Sequence, residues 1–389
     1  DVVILSAART AMGGFQGELS SVSAPQLGAA AIAGAVSRAG IKPEDVDETL
    51  MGNVLPAGLG QAPARQASIF AGLPDSVPCT TISKVCGSGM KAVMIAADQV
   101  ALGRAGIVVA GGMESMTNSP YILPKARGGY RLGHGEIKDH MFLDGLEDAY
   151  EHRLMGTYAE DAARHYQFTR EAQDAYATES LARAKRATTD GSFTDEIVAV
   201  KVSGKKGDVE ITIDEQPGKA DPAKIPTLKP AFAKDGTVTA ANSSSISDGA
   251  AALVLTRADV AAKRGLKPLA RIVAQASHAA EPRWFTTAPV GAIDKVLKQA
   301  GWTKDDVDLF EINEAFANVA MIAMRDLGLD HAKVNVNGGA TALGHPIGAS
   351  GARIVVTLLN ALKRRGLKRG VASLCIGGGE ATALAVELI

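Results

Sequence analysis

The order of apolar and polar positions along the chain predicts an α/β protein in which buried strands alternate with helices. Apolar runs such as GIVVAGG and VASLCIGGG are typical of strands that are buried on both faces. Segments such as MKAVMIAADQVAL place apolar residues three and four positions apart, which predicts amphipathic helices. Turns rich in glycine and serine separate many of these elements.

Two distant parts of the chain repeat this pattern. The stretches that begin at Gly40 and at Gly301 each contain a helix end, an acidic turn and a strand. Farther along, a Gly/Ser-rich turn, an amphipathic helix and an apolar strand also occur twice, with Gly89 and Gly351 in equivalent places. The first pair is separated by 261 residues and the second by 262. This agreement predicts two copies of one α/β unit.

The repeat also predicts an insertion in the first copy. The second copy ends in a hairpin whose last strand is EATALAVELI, whereas the similar strand DGAAALVLTR appears in the first copy only at Asp248. The inserted part contains two charged helices, and Thr169 fits the N-cap of the second. The predicted division is a first half over 1–112 and 243–267, an inserted loop domain over 113–242, and a second half over 268–389.

Composition and charge narrow the class of protein. Of 389 residues, 46% are apolar and 42 are glycine, which is typical of a compact α/β protein. The formal net charge of -1 argues against a nucleic acid or an anionic membrane as partner. No run approaches the roughly 20 apolar residues of a membrane-spanning helix, and no secretory signal peptide opens the chain. The first residue is Asp1, so we expect a few residues or a processed leader to be missing.

The three cysteines are expected to act singly. Cys79, Cys86 and Cys375 form an odd set without close pairing, which argues against a disulfide framework. No Cys-x-x-Cys motif or His/Cys cluster indicates a metal site. We therefore expect a reducing compartment: a bacterial cytoplasm, with a processed mitochondrial form as the alternative.

Cys86 is the first candidate for a reactive side chain. It lies between a short strand and a strong amphipathic helix, and Gly87 and Gly89 leave room for a ligand. Because a helix N-terminus carries partial positive charge, we expect this position to lower the pKa of the thiol and to favour a nucleophile. A packed thiol at a tight turn is the alternative.

Two further polar side chains occur at related turns. His345 lies close to the position that the repeat pairs with Cys86, so we expect the two turns to face each other and His345 to act as a general base. Asn313 follows a predicted strand, at the end where open α/β sheets bind ligands. Capping of the next helix is the alternative role for Asn313.

Cys375 stands in an apolar strand just before three glycines. A cysteine in such a strand usually fills space. The repeat aligns Cys375 with Val109, an ordinary apolar residue, so the strand itself does not require a thiol. Beside a nucleophile and a base, a second cysteine indicates a second proton transfer. The N–H groups of the glycines suit an oxyanion hole.

Eight blocks of the sequence resemble the thiolase family, and the resemblance extends over nearly the whole chain. They are VVILSAARTAMGGFQG, GQAPARQAS, KVCGSGMKAVM, VAGGMESM, NSSSISDGAA, EINEAFA, NVNGGATALGHPIGASGAR and SLCIGGG. The resemblance implies a five-layered αβαβα fold with two similar mixed-sheet halves and an inserted loop domain. It is strongest to the members that reversibly condense two acetyl-CoA to acetoacetyl-CoA and CoA.

The resemblance also implies a role for each candidate residue. Cys86 would be acylated by an acyl-CoA, His345 would take its proton, and Cys375 would remove an α-proton from the second acetyl-CoA. Asn313 would hold a water that forms one oxyanion hole with His345. The N–H groups of Cys86 and Gly377 would form the other. No metal or redox cofactor is implied.

Coenzyme A enters this scheme as substrate and product, bound between the loop domain and the core. The residues that the resemblance places along its channel are Leu146, Met155, Ser244 and Phe316. The implied partners are acetyl-CoA, acetoacetyl-CoA and further copies of the chain, in a homodimer or homotetramer.

Three departures from the family pattern leave the acyl length and the affinity for coenzyme A open. Leu154 stands where many members have histidine, and the loop 281–290 differs. The tract around Lys219 lacks an arginine that many members use near the nucleotide, and Lys219 is a candidate substitute for it. A degradative 3-ketoacyl-CoA thiolase is the first alternative. A non-catalytic lipid-binding relative and a Cys/His/Asn hydrolase are the others.

Overall fold

The computed structural model describes residues 1–204 and 207–389. The strands are β1 (Val2–Thr10), β2 (Gly13–Gly14), β3 (Glu48–Gly52), β4 (Cys79–Ile82), β5 (Ile107–Ser115), β6 (Tyr121–Ile122), β7 (Lys138–Asp139), β8 (Ile197–Val198), β9 (Val200–Gly204), β10 (Gly207–Ile211), β11 (Ser247–Arg257), β12 (Ala270–Ala279), β13 (Leu309–Ile312), β14 (Arg369–Ile376) and β15 (Glu380–Leu388). The α-helices are α1 (Ala24–Ala39), α2 (Pro63–Phe70), α3 (Ser88–Ala101), α4 (Met155–Tyr166), α5 (Arg170–Thr189), α6 (Glu215–Lys219), α7 (Ala258–Lys263), α8 (Ala288–Ala300), α9 (Ala317–Leu327), α10 (Ala340–Leu343) and α11 (Ser350–Arg365). None of the described helices has the length and apolar character to cross a lipid bilayer.

The main strands form two similar mixed sheets that join edge to edge. The order is β13-β14-β15-β12 in the second half, followed by β1-β11-β5-β3-β4 in the first. The two sets meet where Val3 and Ile4 of β1 pair antiparallel with Arg271 and Ala270 of β12. In both halves the strands nearest the outer edge run parallel and the central ones antiparallel.

Helices and sheets alternate in five layers, as predicted. Helices α1 and α2 cover the outer face of the first sheet, and α8 and α9 cover the outer face of the second. Helices α3 and α11 lie between the sheets and contact both. The middle layer is sealed from water, because every residue of α11 from 350 to 362 is buried.

Helices α3 and α11 touch at their first turns. A Cβ on Gly351 would lie 2.4 Å from the backbone nitrogen of Met90, and one on Gly89 would lie 2.8 Å from that of Ala352. Neither contact can be relieved by a side-chain rotation, so only glycine permits this approach. The N-termini of both helices, and the turns that precede them, are therefore held together.

Equivalent hydrogen bonds fix the register between the two halves. The N–H of Asp47 donates to the carbonyl oxygen of Ile107 at 2.9 Å, and the N–H of Asp308 donates to that of Arg369 at 2.9 Å. The carboxylates of Asp47 and Asp308 also accept from the start of the neighbouring strand. Ile107 and Arg369 are therefore equivalent, with an offset of 262 residues.

This register corrects the predicted alignment of Cys375. Its equivalent is Met113, not Val109, because the glycines that the sequence alignment paired lie at different points relative to the two strands. Gly111 is paired within β5, whereas glycines 377 to 379 form the turn after β14. The conclusion that the strand does not require a thiol is unaffected, since Met113 is also an apolar core residue.

The inserted segment leaves the sheet after β5 and returns at β11, and these two strands pair directly. Thr169 caps α5 as predicted, with its hydroxyl accepting from the N–H of Ala172 at 3.1 Å. The boundaries 113 and 242 stay predictions.

A buried ion network ties this segment to both halves. Arg9 of β1 is wholly buried and bonds Glu196 at 2.5 Å and Asp214 at 2.7 and 2.9 Å. Glu196 in turn accepts from Thr357 at 3.0 Å and Asn360 at 3.1 Å, both on α11. Each charge in the network is thus met by several partners.

Substitution of Gly351 by alanine tests the helix contact. We expect a loss of about 1–3 kcal/mol in the free energy of unfolding, because the new methyl group meets backbone atoms. Thermal unfolding should show a midpoint lowered by a few degrees. Gly218→Ala is the control, because a Cβ at Gly218 meets no atom within 4 Å. Equal midpoints for the two variants would contradict the proposed constraint.

Candidate active site

A cavity of about 350 Å³ opens beside the joined first turns of α3 and α11. Its wall contains three of the predicted catalytic residues, Cys86, His345 and Gly377. The remaining wall residues are largely apolar and include the four predicted channel residues. They are Met116, Phe142, Gly145, Leu146, Leu154, Met155, Gly156, Ala231, Phe232, Ala240, Ser243, Ser244, Ser245, Ile246, Phe285, Ala315, Phe316 and Ile347. Asn313 and Cys375 are buried behind this wall.

Cys86 is presented to the cavity by a sharp turn between β4 and α3. The residue before it, Val85, has a φ of +45°. This conformation is rare for a β-branched residue and costs about 1–3 kcal/mol. A Cβ on Gly87 would lie 2.3 Å from Ile376, so the turn packs tightly against the end of β14. The backbone N–H of Gly377 lies near the Cys86 sulfur and favours its thiolate form.

The expected lowering of the Cys86 pKa is wrong. Burial in the apolar wall, with a smaller effect of the nearby Glu114 carboxyl, raises the pKa of the thiol to about 11. The N–H groups of Gly377 and of Cys86 itself act in the opposite direction but are outweighed. Because a thiolate loses its water here, Cys86 is a neutral thiol at neutral pH and needs a base.

His345 has the geometry of such a base. Its Nδ1 lies 2.5 Å from the Ser350 hydroxyl, which donates to the carbonyl oxygen of Pro346 at 3.0 Å. Ser350 therefore accepts from Nδ1–H, and this assigns the unprotonated nitrogen to Nε2. Nε2 has no hydrogen-bond partner among the residues that the structure describes. Burial, and then the charge of Arg353, lower the pKa of His345 to about 3, so the ring is neutral.

Cys375 lies close to Cys86 but outside the cavity wall. It is wholly buried in β14, paired with Ala381 of β15. Burial, and then the proximity of Cys86, raise the pKa of Cys375 well above its ordinary value. Its thiol is therefore also protonated at neutral pH, and any proton that it exchanges must pass to a group bound beside Cys86.

Asn313 follows β13 and does not cap the next helix. The N-cap of α9 is Phe316, without a side-chain cap, so the alternative role for Asn313 is wrong. Its Nδ2 lies 3.5 Å from Nδ1 of His345, and its Oδ1 accepts from Nη2 of Arg353 at 3.4 Å. The amide thus lies between the histidine and a buried cation, and its hydrogen bond is to the cation.

Glu114 is a site residue that the sequence reasoning missed. Its carboxylate is fully buried and accepts from the backbone N–H of Val54 at 2.9 Å, Leu55 at 3.1 Å and Gly348 at 2.9 Å, and from Asn53 at 2.7 Å. Burial raises the pKa of Glu114 to about 7. It ties the end of β3 to the turn that carries the histidine. The sequence feature that could have identified it is a glutamate near the end of an otherwise apolar strand.

The three departures noted in the sequence have different places. Leu154 lines the cavity, and so does Phe285, which belongs to the loop 281–290. Phe285 packs edge-on against Phe316, with ring centroids 6.2 Å apart. Lys219 lies outside this wall, and its side chain pairs with Glu215. The first two can affect the acyl site, whereas Lys219 cannot reach it directly.

Comparison with known families assigns the chain. Residues 2–259 match the model of the thiolase N-terminal domain, and residues 266–388 match that of the thiolase C-terminal domain. The chain belongs to the thiolase family. The predicted resemblance is therefore confirmed, and the protein is an acyltransferase enzyme.

Individual relatives agree over the full length. An acetyl-CoA acetyltransferase of Allochromatium vinosum is 51% identical over 389 residues, which are 100% of this chain and 99% of the relative. Acetyl-CoA acetyltransferase 2 of Arabidopsis thaliana is 54% identical over 392 residues, covering 100% and 97%. The crystal structure of the Bacillus anthracis acetyl-CoA acetyltransferase superposes with a TM-score of 0.97 at 44% identity, covering 100% and 99%. The predicted fold of this thiolase is thus confirmed. The roles of the individual site residues stay predictions.

The raised pKa of Cys86 predicts its alkylation behaviour in the free enzyme. Below a pKa of about 11 the reactive thiolate is a minor species, so reaction with iodoacetamide should accelerate about tenfold per pH unit from pH 7 to 9. Peptide mass spectrometry at each pH measures the rate at Cys86. Cys86→Ser isolates any signal from the half-buried Cys79. A rate that levels off below pH 8 would show that the thiol is more acidic than its surroundings imply.

Proposed function

We propose that this thiolase is an acetyl-CoA C-acetyltransferase, which reversibly condenses two acetyl-CoA to acetoacetyl-CoA and CoA through an acetyl-Cys86 intermediate. The observation that carries the proposal is the pair of Cys86 and His345 in one apolar cavity, with the N–H of Gly377 near the sulfur. The names of the full-length relatives support the acetyl substrate.

In the first half-reaction Cys86 attacks the thioester carbonyl of acetyl-CoA. Nε2 of His345 takes the thiol proton as the carbon–sulfur bond forms. The N–H groups of Cys86 and Gly377 stabilise the oxyanion. The bond to coenzyme A then breaks, and Cys375 donates its proton to the departing sulfur. This leaves acetyl-Cys86, an imidazolium at His345 and a thiolate at Cys375.

In the second half-reaction the Cys375 thiolate accepts an α-proton from a second acetyl-CoA. The negative charge that moves to its thioester oxygen is stabilised by Nε2–H of His345 and by a water held by Asn313. The α-carbon attacks acetyl-Cys86, and the Cys86 sulfur leaves and recovers its proton from His345. All three side chains return to their initial state. The thioester itself acidifies the α-carbon, so the proposed chemistry needs no further cofactor.

The shape of the cavity suits the pantetheine arm of coenzyme A. Wall residues come both from the inserted segment, among them Leu146 and Met155, and from the two halves, among them Ser244 and Phe316. This supports the placement of coenzyme A between the loop domain and the core. A homodimer or homotetramer follows from the family resemblance. The three unpaired cysteines suit a reducing compartment such as the cytoplasm.

Mass spectrometry after mixing with acetyl-CoA tests the intermediate. We expect one acetyl group on Cys86, because its sulfur alone of the two site thiols reaches the cavity wall. Addition of excess CoA should remove the adduct, since the first step is reversible. Cys86→Ala is the control. A stable adduct on Cys375, or full activity without any adduct, would overturn the assignment.

Replacement of Cys375 separates the two half-reactions. The variant Cys375→Ala removes the second proton carrier from a wholly buried site without enlarging a side chain. We expect it still to acetylate Cys86, more slowly because the departing CoA thiolate must take its proton from water. It should form acetoacetyl-CoA at least about 1000-fold more slowly, because no base meets the α-proton. Spectrophotometry of acetoacetyl-CoA measures the second step. Condensation at the rate of the unmodified enzyme would exclude Cys375 as proton carrier.

A further inference from the structure

Helix α11 carries a charged side chain where a helix between two sheets normally has only apolar ones. Arg353 lies one turn after the helix start and is 0% exposed, within a stretch that is buried on every side. Transfer of a guanidinium from water to such a place is strongly unfavourable unless partners match its charge and its donors. The partners of Arg353 therefore show what its charge acts upon.

These partners match the charge only in part. Nη1 lies 3.9 Å from the Glu311 carboxylate, beyond hydrogen-bond distance, and Nη2 donates to Oδ1 of Asn313 at 3.4 Å. Nε and Nη1 have no hydrogen-bond partner in the described part of the chain. Burial raises the pKa of Glu311 to about 8, which disfavours the carboxylate form that would neutralise the charge.

Arg9 shows that the same fold can neutralise a buried arginine completely. Its guanidinium makes three bonds of 2.5 to 2.9 Å with two carboxylates. Within residues 1–204 and 207–389, Arg353 has no bond of that length, although it is equally buried. The positive charge of Arg353 is thus left to act on its surroundings, where the low dielectric screens it weakly.

The surroundings that it meets belong to the active site. Because Oδ1 of Asn313 accepts from Arg353, the Nδ2 of that amide must point the other way, and it lies 3.5 Å from the ring of His345. The same cation disfavours protonation of His345, in addition to the effect of burial on its pKa. Arg353 does not line the cavity, so it acts on substrate without contact, through these two residues and through its electrostatic potential.

We propose that Arg353 is a positioning residue for acyl transfer, which orients the Asn313 amide and supplies positive potential where the thioester oxygen gains charge. This inference rests on the proposed function, since that function places the developing oxyanion beside His345 and Asn313. An enolate formed in an apolar cavity requires fixed dipoles or charges that need not reorganise. A buried, incompletely paired cation behind the oxyanion hole meets this requirement.

Other charged groups near the pair are held by further partners. Glu314 accepts from Tyr176 and Ser180, and the Glu114 carboxylate is tied to backbone N–H groups on the other side of the histidine turn. The remaining groups that act on Arg353 are Arg9 and Glu196. A change in the charge at 353 should therefore be felt chiefly at Glu311, His345 and Asn313.

The test compares Arg353→Met with Arg364→Met, the same change at an exposed position of the same helix. We expect Arg353→Met to lower kcat for thiolysis of acetoacetyl-CoA by about 10- to 100-fold, less than the loss of a direct oxyanion donor. KM should stay within about threefold, because Arg353 does not touch the cavity. Arg353→Lys should recover part of kcat, since it restores the charge but not the forked geometry.

Histidine NMR gives a readout that a merely structural role would not move. Removal of a neighbouring cation favours the imidazolium, so the pKa of His345 should rise in Arg353→Met and stay low in Arg364→Met. His345→Gln assigns the resonance. If Arg353→Met does not fold, the double variant Glu311→Gln/Arg353→Met replaces it, because it leaves no carboxylate without its partner.

An unchanged or lower pKa of His345, with kcat within about twofold of the Arg364→Met control, would overturn the inference. An unmodified protein that transfers no acetyl group would instead defeat the proposed function. In that case the titration of His345 would still decide whether Arg353 acts on it.

Discussion

The close contact between the first turns of α3 and α11 is the constraint on which the site depends. Gly89 and Gly351 let two backbones meet between the sheets, and each helix is preceded by a reactive turn. Cys86 and His345 are thereby brought to one cavity from opposite halves of the chain. The same arrangement points two helix N-termini toward the place where acyl transfer develops negative charge. The repeat thus brings two equivalent turns to one cavity. The turns differ in their reactive side chain, which is a cysteine in the first half and a histidine in the second.

Exclusion of water determines the resting state of these groups. An apolar wall raises the pKa of Cys86 to about 11 and lowers that of His345 to about 3, so both are neutral in the free enzyme. The enzyme therefore does not store a thiolate. The negative charge on the thioester oxygen and the positive charge on His345 must arise together during the attack. The N–H of Gly377 and the imidazolium can then stabilise the negative charge. Strain at Val85 and the glycine turn after β14 hold these donors in place beforehand.

Much of this architecture could be predicted from the repeat, because equal order at equal spacing implies equivalent folds. The cap at Thr169 and the places of Cys86 and His345 follow from local rules. The predicted alignment of Cys375 was wrong because the glycines of the first half are strand residues of β5, whereas those of the second half form the turn after β14. The predicted direction of the Cys86 pKa shift was wrong because the helix terminus is visible in the sequence, whereas the apolar wall is assembled from the inserted segment and distant parts of both halves. Asn313 and Arg353 meet across 40 residues, a contact that no local pattern encodes.

The two buried arginines show how a fold can use one residue type in two ways. Arg9 is surrounded by carboxylates at hydrogen-bond distance and joins the inserted segment to both halves. Its charge is therefore neutralised within the protein. Among the described residues Arg353 has one hydrogen bond, which is long, and a carboxyl 3.9 Å away, so its field reaches the neighbouring amide and imidazole. A buried cation that only stabilised the fold would gain from a closer anion. The incomplete pairing of Arg353 therefore makes sense where negative charge arrives only during catalysis.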